Sequence, residues 1–178
     1  MGRHDKVGFY SLETSPAKLT NRIIANRAIV DFGRINRREM TQEEWERVVR
    51  LKGEIMESDV ELIPASGWSV QDILSTALQR RHKIIFIDYL QQLTGRGKDR
   101  FEQVTRISLD LHAMAQTHGI LVVALSQLNR ASTARPDAAP TLTDLRESGQ
   151  IEQDADAVLA LYINRKKTHH RTSAACRC

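Results

Sequence analysis

Three apolar runs in the 178-residue chain stop on groups that can handle a metal ion, a water molecule or a phosphate. The run at residues 7–12 ends at Glu13, the run at 84–87 ends at Asp88, and the run at 120–125 gives way to Ser126-Gln127. An Asp just past a buried strand can hold Mg²⁺, usually through water, because that ion gives up its hydration reluctantly. A second carboxylate can orient and polarise an attacking water. A neutral amide can hydrogen-bond a terminal phosphate, so its position reports whether that phosphate is there. The combined chemistry is hydrolysis of a nucleotide. Each ending alone has an ordinary explanation, since an Asp after an apolar run is common and a Glu or Gln beyond a strand is mostly a solvated loop residue or a helix cap. The signal lies in three such endings in order.

For these groups to meet, the runs must be strands of one open α/β sheet, whose ligands bind beyond the carboxyl ends of the strands. The rest of the chain fits that requirement. Ser15-Pro16 opens a helix with Leu19, Ile23, Ile24 and Ala28 at helical spacing. Residues 31–40 read as a polar connection. Thr41-Gln42-Glu43-Glu44 is a capping box before a helix whose Trp45, Val48, Val49, Lys52 and Ile55 are spaced to face a core. A short strand at 60–63 precedes a helix capped by Ser69. Residues 94–100, Thr-Gly-Arg-Gly-Lys-Asp-Arg, read as a flexible basic loop. A long helix follows from Phe101, with Phe101, Val104, Ile107, Leu111, Met114 and Ala115 on one face and Gly119 as its stop. A polar segment with Pro136 and Pro140 leads to residues 145–156 and a last apolar run at 157–163. Continuously apolar strands alternating with helices predict an α/β fold, with a mostly parallel sheet covered on both faces.

Composition narrows the class without naming it. With 41% hydrophobic and 27% charged residues the chain suits one globular domain. Its apolar runs all fall well short of the roughly 18 residues a membrane span needs. The start Met-Gly-Arg-His-Asp carries no apolar leader, and both cysteines, Cys176 and Cys178, lie in the last three residues, which excludes a disulfide scaffold and suits a reducing cytoplasm. A net charge of +4 tolerates an anionic partner without requiring one.

Four segments carry more than their chemistry. Ser11-Leu12-Glu13-Thr14-Ser15, Ile87-Asp88-Tyr89-Leu90-Gln91, Ser126-Gln127-Leu128-Asn129-Arg130 and the stretch Asp144-Leu145-Arg146-Glu147-Ser148-Gly149-Gln150-Ile151-Glu152-Gln153-Asp154-Ala155-Asp156 resemble, in order and spacing, the signature segments of DnaB-type replicative DNA helicases. The resemblance covers about residues 6–162. It implies a RecA-like P-loop NTPase core that assembles as a hexameric ring around single-stranded DNA, with ATP and Mg²⁺ between neighbouring subunits and 5′-to-3′ translocation driven by hydrolysis. On that resemblance Glu13 is the catalytic carboxylate, Asp88 the Walker B aspartate at Mg²⁺ through water, and Gln127 the γ-phosphate sensor. Arg146, Glu147 and Gly149 belong to the central-channel loop that holds the DNA backbone, and Arg96 and Lys98 lie in the other channel loop. Primase and a helicase loader are partners of the full-length family protein. Glycines let backbone N–H groups approach a phosphate, and Arg and Lys add a salt-sensitive, sequence-independent attraction. Few aromatics stand in these loops, so backbone tracking rather than base stacking is expected.

The chain also departs from that pattern. The family's Walker A loop, Gly-x-x-x-x-Gly-Lys-Ser/Thr, cradles the phosphates and should precede the Ser-Leu-Glu strand. No such motif occurs in the sequence. Gly95-Arg96-Gly97-Lys98 does not substitute, because its glycines are misplaced and Asp99 follows the lysine. Met1 lies only a few residues before the Ser-Leu-Glu strand, so the Walker A strand, loop and helix are expected to lie outside the chain, together with the primase-binding N-terminal domain. Residues 1–163 thus read as a partial RecA-like motor domain, and residues 164–178 as a disordered basic tail that lacks the family's arginine-finger pattern. The chain is expected to be inactive alone. The competing reading is a non-catalytic RecA-like module that keeps DNA or subunit contacts.

Overall fold

The computed structural model describes residues 5–128, 140–145, 149–163 and 172–177. Strands β1 (Val7–Ser11), β2 (Val60–Pro64), β3 (Ile84–Asp88) and β4 (Leu121–Ala124) form one sheet in the order β2-β1-β3-β4. Every neighbouring pair is parallel, with Ser11 opposite Asp88 and Ile87 opposite Ala124. The expected α/β fold with a mostly parallel sheet is therefore present, whereas the expected cover on both faces is incomplete, since Leu121 and Val123 of β4 stay exposed.

Local signals explain where the helices begin and end. Helix α1 (Pro16–Ala28) starts on proline, which tolerates the missing hydrogen bond of a first turn, although the Ser15 side chain makes no cap bond. Helix α3 (Gln42–Met56) opens on the expected capping box: Thr41 Oγ1 accepts from Glu44 N at 3.3 Å and Glu44 Oε2 accepts from Thr41 N at 2.7 Å. That hydrogen bond to the Thr41 backbone is the first cause holding the Glu44 carboxyl below its ordinary value. Helix α4 (Val70–Arg80) repeats the device with Ser69 and Asp72. Helix α5 (Arg100–His118) is capped by Asp99 and ends on Gly119 in the left-handed region at φ 58°. Helix α6 (Gly149–Asp154) follows, and β5 (Val158–Ile163) pairs antiparallel with β6 (Thr172–Arg177) in a separate two-stranded sheet.

The structure corrects four expectations. Residues 31–40 are not merely a connection, because Asp31 caps a short helix, α2 (Phe32–Arg37), by accepting from Arg34 N at 3.0 Å. None of α3's described residues is buried, and Trp45 and Val49 are half exposed. That helix packs on α1, tied by Arg27 to Glu54 and by Arg47 Nε to the Ala28 carbonyl, with Val48, Leu51 and Ile55 partly buried and Trp45 and Val49 left outward. Phe101 is likewise exposed, while the rest of the α5 face enters the core through Val104, Ile107, Leu111 and Met114. In the segment expected to be a disordered basic tail, residues 172–177 form β6; residues 164–171 and 178 lie outside the described residues.

The core lies between one sheet face and helices α4 and α5. Tyr10, Ile63, Ile85 and Ile87 meet Val70, Ile73 and Ala77 of α4 and Val104, Ile107 and Leu111 of α5. Burial of each such aliphatic side chain contributes roughly 1.5–3 kcal/mol. One polar cluster sits in it. Tyr10 Oη is 3.0 Å from Nδ1 of the buried His82, whose Nε2 faces Glu61 Oε2 at 3.7 Å, and Glu61 also pairs with Arg80 at 2.6 Å. Burial pushes the Tyr10 phenol up to about 12 and the His82 imidazole below its ordinary 6.5. For Glu61 burial is the largest single influence and acts upward, but the Arg80 hydrogen bond and charge outweigh it and hold the carboxyl below its ordinary value. Gly8 is required beside this cluster, since a Cβ there would lie 2.5 Å from His82 Nδ1.

Candidate active site

Parallel register decides where the strand-end groups go. Because β1, β3 and β4 run the same way, Glu13, Asp88 and Gln127 all emerge at the carboxyl edge of one sheet. Beyond β1, the buried Ser11 hydroxyl donates to the Thr14 carbonyl at 2.7 Å and accepts from Thr14 N at 3.2 Å. This tight serine turn leaves Glu13 exposed at its tip. Leu12 N donates to the Asp88 carbonyl at 2.9 Å, which pins the residue before Glu13 to the end of β3. Asp88 itself is partly exposed, and the peptide that follows it is cis.

The end of β4 is fastened to the same place. Leu90 N donates to the Leu125 carbonyl at 2.8 Å, opening a short 3-10 turn at Leu90–Gln92. Inside that turn Gln91 is buried. Its Nε2 donates to Ser126 Oγ at 2.8 Å, and its Oε1 accepts from Gln127 N at 3.4 Å. Gln127 is exposed. Oxygen donors from two carboxylates suit a hard dication, and among the described residues there is no group of three His, Cys, Asp or Glu placed to hold a metal directly. That donor set fits an ion such as Mg²⁺, held by few protein groups and mostly by water. The phosphate cradle has no counterpart in the sequence.

The basic segment is better held than a flexible loop. Thr94 N donates to the Trp68 carbonyl at 2.9 Å and Thr94 Oγ1 to the Gly67 carbonyl at 3.3 Å. Lys98 N donates to Glu102 Oε2 at 2.9 Å, the first cause holding the Glu102 carboxyl below its ordinary value, ahead of Arg106. Gly97 lies so close to α5 that a Cβ would sit 2.7 Å from Gln103 N. Arg96 and Lys98 are exposed on this braced turn.

Of the other channel-loop candidates, Arg146 and Glu147 lie outside the described residues, and Gly149 is exposed at the start of α6. The flanks of that loop are fixed. Leu145 bridges to Leu128, next to Gln127, and α6 is clamped on α5 through Asp154. Asp154 accepts from Ser108 Oγ at 2.7 Å and from Gln150 Nε2 at 2.7 Å, while His112 Nδ1 donates to its carbonyl at 3.0 Å. Sequence reasoning gave no role to Gln91, Ser108, Ser126 or Asp154. Gln91, Ser126 and Asp154 stand in the quoted segments, whereas Ser108 left no signal.

Residues 1–176 match the family model described as DnaB-like helicase C terminal domain. The chain is 37% identical over 162 residues to the replicative DNA helicase DnaB of Rickettsia typhi, covering 88% of this chain and 33% of that protein. It superposes on a DnaB-like replicative helicase, solved to show its interactions with primase, with a TM-score of 0.85 at 33% identity, covering 97% of this chain and 47% of that one. The same score and identity relate it to a separately solved ATPase domain, of which it covers 69%. The chain spans about a third of the length of the curated relatives it matches, from 26% to 37% among eight of them.

Proposed function

Since the chain belongs to the DnaB-like helicase C-terminal domain family, with the RecA-like fold of its ATPase domains, we propose that it forms part of the motor of a replicative DNA helicase, which uses ATP to move along single-stranded DNA and separate the duplex. The observation that carries this reading is the convergence of Glu13, Asp88 and Gln127 on one sheet edge. ATP with Mg²⁺, when bound, supplies the phosphoryl group and the charge that the site must manage. Asp88 holds the ion's water shell by accepting its hydrogen bonds. Glu13, exposed at the tip of its turn, orients and polarises the attacking water. Gln127 offers a neutral amide to the terminal phosphate, and its backbone is tied to the β3 end through Gln91.

DNA is tracked through its phosphates. Arg96 and Lys98 stand on the braced turn before α5, and Arg146, Glu147 and Gly149 supply the second set of DNA contacts, between anchors at Leu128–Leu145 and Asp154. The whole protein works in the cytoplasm as a hexameric ring of identical subunits, with primase and a helicase loader as further partners. Among the described residues no helix is long and apolar enough to cross a membrane.

Fluorescence anisotropy with a labelled oligo-dT tests the nucleic-acid half of this reading. The 178-residue chain binds weakly and without sequence preference, and its affinity falls with salt by about 0.7 log units per log unit for each phosphate neutralised. Replacing Arg96 and Lys98 by alanine lowers that slope by about 0.7 per lost contact. An unchanged slope, or no binding at low salt, would overturn the assignment. ATP turnover by the same chain stays at the blank level with or without DNA, because the residues that bind most of the triphosphate are not in this sequence.

A further inference from the structure

Gln91 is buried at 5% exposure, and it takes part in the proposed site only by tying Gln127 to the end of β3. It stands where three parts of the molecule meet. Asp88 lies three positions before it at the end of β3. Its side chain reaches across to the end of β4, donating to Ser126 Oγ and accepting from Gln127 N. Its main-chain carbonyl accepts from the guanidinium of Arg100, the first residue of α5 and the last of the basic turn carrying Arg96 and Lys98. A glutamine suits this place because one side chain both donates and accepts. The Gln127 N–H can only donate, so it fixes Oε1 on its own side and sends Nε2 to the serine hydroxyl, which can adapt.

We infer that Gln91 is a positioning residue that sets Gln127 relative to Asp88 and passes displacement of the Arg100 end of the basic turn to Gln127. The inference rests on the roles assigned to Asp88 and Gln127 and adds the link between them and the DNA-facing turn. A buried amide held on both sides has little freedom to absorb a shift. When Arg100 pulls the Gln91 backbone, both side-chain anchors move with it, and the Gln127 backbone follows.

A double-mutant cycle read by amide NMR tests the link without nucleotide or DNA. In the 178-residue chain, Arg100→Ala shifts the Gln127 amide signal. In a Gln91→Leu background the same change leaves that signal in place. Gln91→Leu also speeds hydrogen exchange at the Gln127 amide by about threefold to tenfold, the loss expected for one hydrogen bond. Signals of Ile85 and Ile107 stay unmoved and report an intact core. Should Gln91→Leu fail to fold, Ser126→Ala removes one anchor alone and reduces the Gln127 response to Arg100→Ala. The inference is overturned if Arg100→Ala leaves Gln127 unmoved in the parent chain, or moves it equally when Gln91 or Ser126 is changed. Those results would leave the roles of Asp88 and Gln127 standing, whereas failure of metal placement at Asp88 would leave the measured link intact.

Discussion

On one face of the parallel sheet, Tyr10, Ile63, Ile85 and Ile87 are closed over by α4 and α5. On the other, Phe9 and Phe86 stack with ring centroids 6.1 Å apart and stay half-buried, while Leu121 and Val123 of β4 are exposed. The outer edge of β4 also has no partner strand among the described residues. The strands are equally apolar on both faces, so the difference is one of cover and not of sequence. Apolar patterning specifies a surface to be covered and leaves open what covers it. The closed face carries stability and holds the strand ends in register; the open face contributes little to either.

Substitutions separate the faces by size of effect. Ile87→Ala or Ile107→Ala lowers the unfolding free energy in urea by about 2–5 kcal/mol, the cost of a cavity in a closed core. Phe86→Ala removes a larger side chain and costs less than half as much; equal losses would mean that the two faces are equally packed. The basic turn belongs to the closed side, since a Cβ on Gly97 would meet Gln103 N at 2.7 Å. Gly97→Ala therefore destabilises by about 1–3 kcal/mol and weakens oligo-dT binding, and a neutral result would show that the turn is free to move off α5.

Titration near pH 6.5 reports on the closed face, through His82. Its folded-state pKa lies below 6.5, so from pH 6.5 downward the unfolded chain takes up a proton that the folded chain resists. Stability is thus complete above pH 6.5 and falls as the pH drops toward the folded value, with a slope of up to about 1.4 kcal/mol per pH unit. Lys6, Glu61, Arg80 and Tyr10 are the titratable groups that share this environment, and Glu61, held below its ordinary value, loses its charge only at lower pH. His82→Gln flattens the slope just below pH 6.5; an unchanged slope would assign it elsewhere. The smallest effect belongs to the open face. Leu121→Lys with Val123→Lys changes stability by no more than about 0.5 kcal/mol while lowering binding of a hydrophobic dye, and a large loss would reveal packing on that face.

What the sequence made legible follows the same division. Strand ends, the capping box at Thr41, the Ser69 cap and the Gly119 stop are local signals, and parallel register turns three strand ends into one site edge. Helix α2 escaped notice because six residues are too few to display a helical period. The exposure of Trp45 and Val49 on α3 and of Phe101 on α5 could not be foreseen, because periodicity identifies a face without its partner. Strand β6 pairs through its backbone, which requires no apolar pattern, so its polar and small residues gave no hint of it. Gln91 was hidden for a different reason: its partner Ser126 lies 35 residues away, and only the fold brings them together.

On the proposed reading, the sheet edge at Glu13, Asp88 and Gln127 forms the metal side of a nucleotide site. Mn²⁺, replacing Mg²⁺ as a paramagnetic probe, tests it most directly through the amide signals of the chain. The expected result is broadening centred on residues 11–14, on Asp88 and on Gln127, abolished by Asp88→Asn. Broadening that centres on the carboxylates of α3, or that persists unchanged in Asp88→Asn, would contradict it.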